Sequence, residues 1–120
     1  RLPIQYALSF PERYRCAFDQ LDLVQAGPLT FLEPDTDKFP ALAIAIACGK
    51  AGGTLPCVFN AANEVCVEAF LAGRIHYLEI PELIQRTVEA HQNISRPDIA
   101  EIRETDARTR RFTEHLIANR

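Results

Sequence analysis

Apolar and polar positions alternate with different periods along this chain, and the periods change at proline-rich points. From Leu42 to Ala51 nearly every residue is apolar. That pattern predicts a helix buried on every side, weakened and ended by Gly49, Gly52 and Gly53. Asn60 to Gly73 is amphipathic: Ala62, Val65, Cys66, Ala69 and Phe70 recur at helical spacing and predict an inward stripe. Asn60 reads as the N-cap of that helix, with Glu64 near its positive end and Gly73 as its stop. Thr54 to Phe59 reads as the link before it. Glu79 to Gln92 predicts a third helix, with Pro81 in the first turn and Leu83, Ile84, Thr87 and Val88 facing inward. Pro97 opens a fourth, running to about Ala118. Its apolar positions are Ile99, Ile102, Phe112, Leu116 and Ile117, with a charged middle, so the pattern predicts packing by its two ends. Glu104 with Arg108, and Asp106 with Arg110, stand at the spacing of helical ion pairs.

The first third reads differently. Ile4, Ala7 and Leu8 share a face between Pro3 and Pro11, which suits a short helix. Residues 15–27 form a mixed connector. Pro28 to Glu33 is rich in β-formers and predicts one strand. A lone strand cannot satisfy its own backbone groups, so it needs a sheet from sequence outside this chain or from a second copy. Pro34 to Pro40 is a turn-rich boundary. The reading is mainly α: a connector over residues 1–34 carrying one strand, then a four-helix bundle over 35–120.

Composition changes little in this picture. The chain has 120 residues, 48% hydrophobic and 24% charged, with a net charge of -3. No basic patch calls for nucleic acid. No apolar run is long enough to span a bilayer. The chain starts at Arg1 and contains no Met, which leads us to expect a piece of a longer protein. Cys16, Cys48, Cys57 and Cys66 form no Cys-x-x-Cys pair, against a zinc site. They read as reduced structural thiols in a cytoplasm, and a thiol redox module is the weakest reading.

Candidate chemistry is sparse. Asp35 and Asp37 suggest a cation site, but Asp in this setting more often caps a turn. Glu64 and Glu68 share a helix face without the Glu-x-x-His partners of a di-iron centre. His76, His91 and His115 fit no catalytic arrangement. His91 and His115 sit near helix C-termini, where positive charge is favoured. Gly52-Gly53 lacks the spacing of a phosphate loop. Arg108, Arg110 and Arg111, set against Glu101, Glu104 and Asp106, read as a salt-bridged surface. The residues assign no catalytic, cofactor-binding or metal site.

One run is more specific. Asn60-Ala61-Ala62-Asn63-Glu64 resembles the Asn-Ala-Ala-Asn-Glu helix in the C-terminal helical domain of the 1-deoxy-D-xylulose 5-phosphate reductoisomerases. Pro3-Ile4, Pro11-Glu12-Arg13, Leu29-Thr30-Phe31, Pro34-Asp35, Phe39-Pro40, Gly73-Arg74-Ile75, Ile80-Pro81 and Asp106-Ala107 with Arg110 extend the resemblance over most of the chain. Lys38 stands where Arg is usual, Ala41 where Cys is usual, and Thr109 where Ala is usual. The resemblance implies that the strand belongs to an α/β catalytic domain. It implies a parent enzyme that uses NADPH and Mg, Mn or Co. Such an enzyme rearranges and reduces 1-deoxy-D-xylulose 5-phosphate to 2-C-methyl-D-erythritol 4-phosphate, in isoprenoid precursor synthesis. It further implies a cytoplasmic homodimer whose catalytic residues precede this region, so none is carried onto this chain and the fragment alone is expected to be inactive. The alternative is a free-standing helical interaction module derived from that domain.

Overall fold

The structure is a computed structural model that describes residues 2–15 and 21–120. Cys16, one of the four cysteines, lies outside the described residues. The chain divides into two units, one ending at Glu33 and one running from Pro34 to Arg120.

In the first unit, α1 spans Leu2–Ser9 and α2 is a single turn at Leu23–Ala26. The connector read as irregular therefore holds one helical turn. Asp22 caps it by accepting from the N–H groups of Val24 and Gln25 at 2.9 and 3.1 Å. The Pro28–Glu33 stretch expected as a strand forms none among the described residues. The physical reason is the one noted above: no second strand offers it a ladder. Its Leu29, Phe31 and Leu32 are exposed.

The second unit holds α3 (Pro40–Ala51), α4 (Leu55–Leu71), α5 (Glu79–Glu89) and α6 (Ile99–Ala118). The four expected helices are present, with changes at their ends and faces. Helix α4 starts five residues before the expected N-cap. Thr54 holds the N-cap position, and Pro56 sits in the first turn, where its missing N–H is harmless. Thr54–Phe59 is thus no link, and Asn60 is an interior residue of α4. Glu64 is likewise far from the positive end of the helix dipole. Helix α5 stops at Glu89, three residues short of the expected Gln92.

Helices α4 and α5 form the central pair. Each touches the other, and each touches both α3 and α6, whereas α3 and α6 do not meet. The sequence allows this because α4 presents small side chains. Ala61, Ala62, Cys66 and Ala69 are fully buried, so neighbouring backbones can approach closely. Val58, Val65, Ile75, Leu83, Ile84 and Ile117 fill the remaining space. The stripe expected on α4 is buried except for Phe70, which sits at the rim and packs edge-on against Tyr77.

Two faces depart from the pattern. Helix α3 was expected to be buried all round, yet only Cys48 is buried, and Leu42 and Ile46 are 40% and 47% exposed. A helix that meets only α4 and α5 has only one side to bury. Helix α6 does not pack by its ends. Ile99 is exposed at one end, and burial runs along Thr105, Thr109, Thr113 and Ile117. These threonines lie four residues apart and form one stripe. Thr113 Oγ1 donates to the Thr109 carbonyl at 2.9 Å and lies 3.3 Å from Thr87 Oγ1, so the Thr113 hydroxyl is satisfied within the interface. Asp98 caps α6 in a complete capping box with Glu101, at 2.8 Å in each direction.

Candidate functional site

The most connected polar group joins α4 to α6. Arg110 Nη2 donates to Glu64 Oε2 at 2.6 Å, and Arg110 Nε donates to Asp106 Oδ2 at 2.8 Å. Asn60 Nδ2 donates to Glu64 Oε1 at 2.9 Å. Both glutamate oxygens are therefore held. The Arg110 hydrogen bond, followed by that from Asn60, keeps the Glu64 carboxyl below the usual range. The same two acids raise the Arg110 guanidinium. The expected Asp106–Arg110 pair forms. The expected Glu104–Arg108 pair does not, because Glu104 reaches Arg111 instead, at 3.6 Å.

A second group ties α6 to the segment after α4. Arg74 grips Glu114 with two parallel bonds, at 2.9 and 3.2 Å, and this lowers the Glu114 carboxyl. Glu79 accepts from the His76 backbone N–H at 2.6 Å and from Arg120 at 2.7 Å, which lowers it too. Arg120 also donates to the Arg74 carbonyl. Neither pairing is visible in sequence spacing, since the partners are about 40 residues apart.

The third group surrounds Thr54, which is fully buried. Its N–H donates to Asn93 Oδ1 at 2.9 Å and to the Ile94 carbonyl at 3.1 Å. Its hydroxyl oxygen accepts the Ile94 N–H at 3.1 Å and lies 2.7 Å from His91 Nε2. This knot fastens the α3–α4 turn to the α5–α6 connector. Gly53 makes it possible. With φ of +63° and the Ile94 oxygen 2.4 Å from where a Cβ would sit, only glycine fits. Burial and the charge of Arg108 push the His91 imidazole down, so the neutral ring is favoured, contrary to the expectation of positive charge at a helix end. Sequence reasoning passed over Thr54 and Asn93 because neither belongs to a periodic pattern.

The remaining candidates fall into structural places. Asp35 Oδ1 accepts the Lys38 N–H at 2.9 Å, which is turn capping. His115 sits in the last turn of α6, where its carbonyl accepts from Asn119. Cys48 and Cys66 are buried. Burial, followed by the nearby Glu114 charge, pushes the Cys66 thiol up to about 11. Cys57 is partly buried and is also raised, mainly by burial. Among the described residues no group of three or more His, Cys, Asp or Glu is placed to hold a metal ion.

What fold and polar groups define is a helical domain held by ion pairs between its elements. A family model described as the DXP reductoisomerase C-terminal domain matches residues 1–112, and the chain belongs to that family. It is 49% identical to the 1-deoxy-D-xylulose 5-phosphate reductoisomerase of Heliobacterium modesticaldum over 98% of this chain and 30% of that protein. It is also 49% identical to the Desulforamulus reducens enzyme over 99% of this chain and 31% of that protein. Among solved structures it resembles the Zymomonas mobilis reductoisomerase in complex with NADPH, with a TM-score of 0.84 and 31% identity. That match covers 97% of this chain and 31% of the other. A DOX-P reductoisomerase in complex with magnesium gives a TM-score of 0.82 at 32% identity over the same shares. The chain thus spans about 30% of the length of the relatives it matches.

Proposed function

We propose that this chain is the C-terminal part of a reductoisomerase that converts 1-deoxy-D-xylulose 5-phosphate to 2-C-methyl-D-erythritol 4-phosphate with NADPH and a divalent metal. The observation that carries this is the near-complete coverage of the chain by the C-terminal domain of that family. Residues 35–120 form the bracing bundle and residues 1–34 the passage from the catalytic domain. In this reading Pro28–Glu33 becomes a strand when the catalytic sheet offers it a ladder. The catalytic and NADPH-binding domains of the same polypeptide cover the exposed apolar residues of α1 and α3. The parent is a cytoplasmic homodimer without nucleic-acid or membrane partners.

No residue of this chain is assigned to catalysis, cofactor binding or metal binding. Its contribution is positional. Turnover is sensitive to small displacements of the reacting groups, and a rigid support limits them. The Glu64–Arg110 and Arg74–Glu114 pairs stiffen α6 against the rest of the bundle in just this sense.

The test is direct. An antibody to this chain is used to find the mass of the native protein in its source cells, and the purified protein is assayed for NADPH oxidation with 1-deoxy-D-xylulose 5-phosphate. A species several times heavier than 13.5 kDa that oxidises NADPH with this substrate supports the reading. A native species of about this chain's own mass, with no turnover, overturns it and points to a free-standing module.

A further inference from the structure

A cavity of about 340 Å3 lies between the end of α5 and the middle of α6. His91, Gln92, Arg108, Thr109 and Phe112 are among its lining residues, and no carboxylate lines it. Two features set it apart from a chance surface hollow. Arg110 and Arg111 of α6 are paired with acids, whereas Arg108, just before them in the helix, makes no ion pair or hydrogen bond among the described residues. Thr109 is only 5% exposed, and its hydroxyl has no protein partner. Among the described residues no enclosed side-chain polar atom lacks a partner. The Thr109 hydroxyl must therefore reach open space, and the cavity it lines is that space.

His91 lines the same space, with Nε2 2.7 Å from Thr54 Oγ1, whose own proton has Asn93 Oδ1 as its acceptor at 3.1 Å. The last carbonyls of α5 oppose an anion weakly, because those of Arg86 and Val88 are taken by the N–H groups of Ala90 and His91. Arg108, the Gln92 amide and the Thr109 hydroxyl give several donors around one space, with the Phe112 ring as an apolar wall. A tetrahedral head with several acceptor oxygens uses such a set better than a planar carboxylate does.

We propose that this cavity binds a small phosphate monoester, its phosphate on Arg108 and Thr109 and its organic part against Phe112. The inference rests on the bundle alone and stands whether or not the parent enzyme reading holds.

Phenyl phosphate is the probe, titrated into the native polypeptide that carries this chain while arginine Nε–H resonances are followed by NMR. The Arg108 signal is identified by its loss in R108Q. The Arg108 signal should shift saturably, R108Q should weaken binding roughly tenfold or more, and T109V should weaken it by a smaller factor. R103Q removes another α6 arginine away from the cavity and should bind as the unaltered protein does. Because Arg108 has no ion-pair or hydrogen-bond partner among the described residues, R108Q should keep the original melting temperature. No saturable shift at Arg108 would overturn the proposal. Equal weakening by R103Q and R108Q, or benzoate binding as tightly as phenyl phosphate, would overturn it as well.

Discussion

Arg110 on α6 places Nη2 2.6 Å from Oε2 of Glu64 on α4, across 46 positions of sequence. Glu64 closes the Asn-Ala-Ala-Asn-Glu run, and Arg110 closes the Asp-Ala-x-x-Arg run. The two most distinctive motifs of the second unit are therefore a single physical contact. Asn60 and Asp106 complete it from either side.

Both side chains are well exposed, at 39% and 51%, so water and salt screen the pair. Arg110→Ala and Glu64→Gln should each lower the melting temperature modestly. Raising the salt should shrink the difference from the unaltered protein. A double-mutant cycle read by thermal unfolding gives the coupling. A coupling indistinguishable from zero at low salt would show that the contact does not brace the bundle.

The Thr54 knot should matter more, because it is buried. Thr54→Val removes the acceptor of the Ile94 N–H and the partner of His91, and should destabilise by about 1–3 kcal/mol. Gly53→Ala forces a Cβ against the Ile94 carbonyl at a positive φ and should cost about 1–3 kcal/mol. Urea unfolding of both variants is the check. Wild-type stability in either would mean that the turn has another way to close.

Stability should fall with acid in two steps. His91 is held below its ordinary value of about 6.5. The unfolded chain then binds the proton first. The stabilisation is full above about pH 6.5 and is lost as pH falls from there through the lower folded value. His91→Gln should flatten this step. Glu64, Glu79 and Glu114 are lowered as well, so their contributions are present above the usual carboxylate range and vanish as pH falls through their folded values. A pH series of unfolding midpoints, with and without His91→Gln, separates the two. A midpoint unchanged between pH 7.5 and 5.5 would refute the first step.

The centre of the core should tolerate little. Ile84 is fully buried, and Ile84→Ala should cost about 2–5 kcal/mol, measured by chemical unfolding. In contrast, Thr113→Val should cost under about 1 kcal/mol, because Thr87 keeps its bond to the Leu83 carbonyl at 2.8 Å when Thr113 loses its hydroxyl.

The buried thiols should be inert in the folded state. Cys66 needs a pH near its raised value of about 11 to ionise, and Cys48 is raised as well. Neither should react with iodoacetamide at neutral pH until the protein unfolds, as mass spectrometry of labelled peptides would reveal. Rapid labelling of Cys66 in the native state would revive a redox role.

The sequence by itself determined which segments of the second unit are helices, because each carries enough period-3.6 apolar positions or a strong stop to be read locally. Pro81, Gly73 and the Asp98 region acted within a turn or two of where they stand. It also determined the family, since the Asn60–Glu64 run is specific at the level of residue identity. What it did not determine was anything that depends on a distant partner. Helix α4 is capped at Thr54 and not at Asn60, because the Thr54 N–H finds Asn93 and Ile94, some 40 residues on. Leu42 and Ile46 look like core in any local reading, yet α3 meets only two helices and leaves them uncovered. The threonines of α6 look polar, yet they are the buried stripe: Thr113 turns its hydroxyl to its own helix and to Thr87, and the methyl groups fill the interface. The pairing of Arg74 with Glu114 and of Glu64 with Arg110 was settled by how α6 packs against α4 and the segment that follows it. Local physics writes the elements; only packing chooses which of their polar atoms meet.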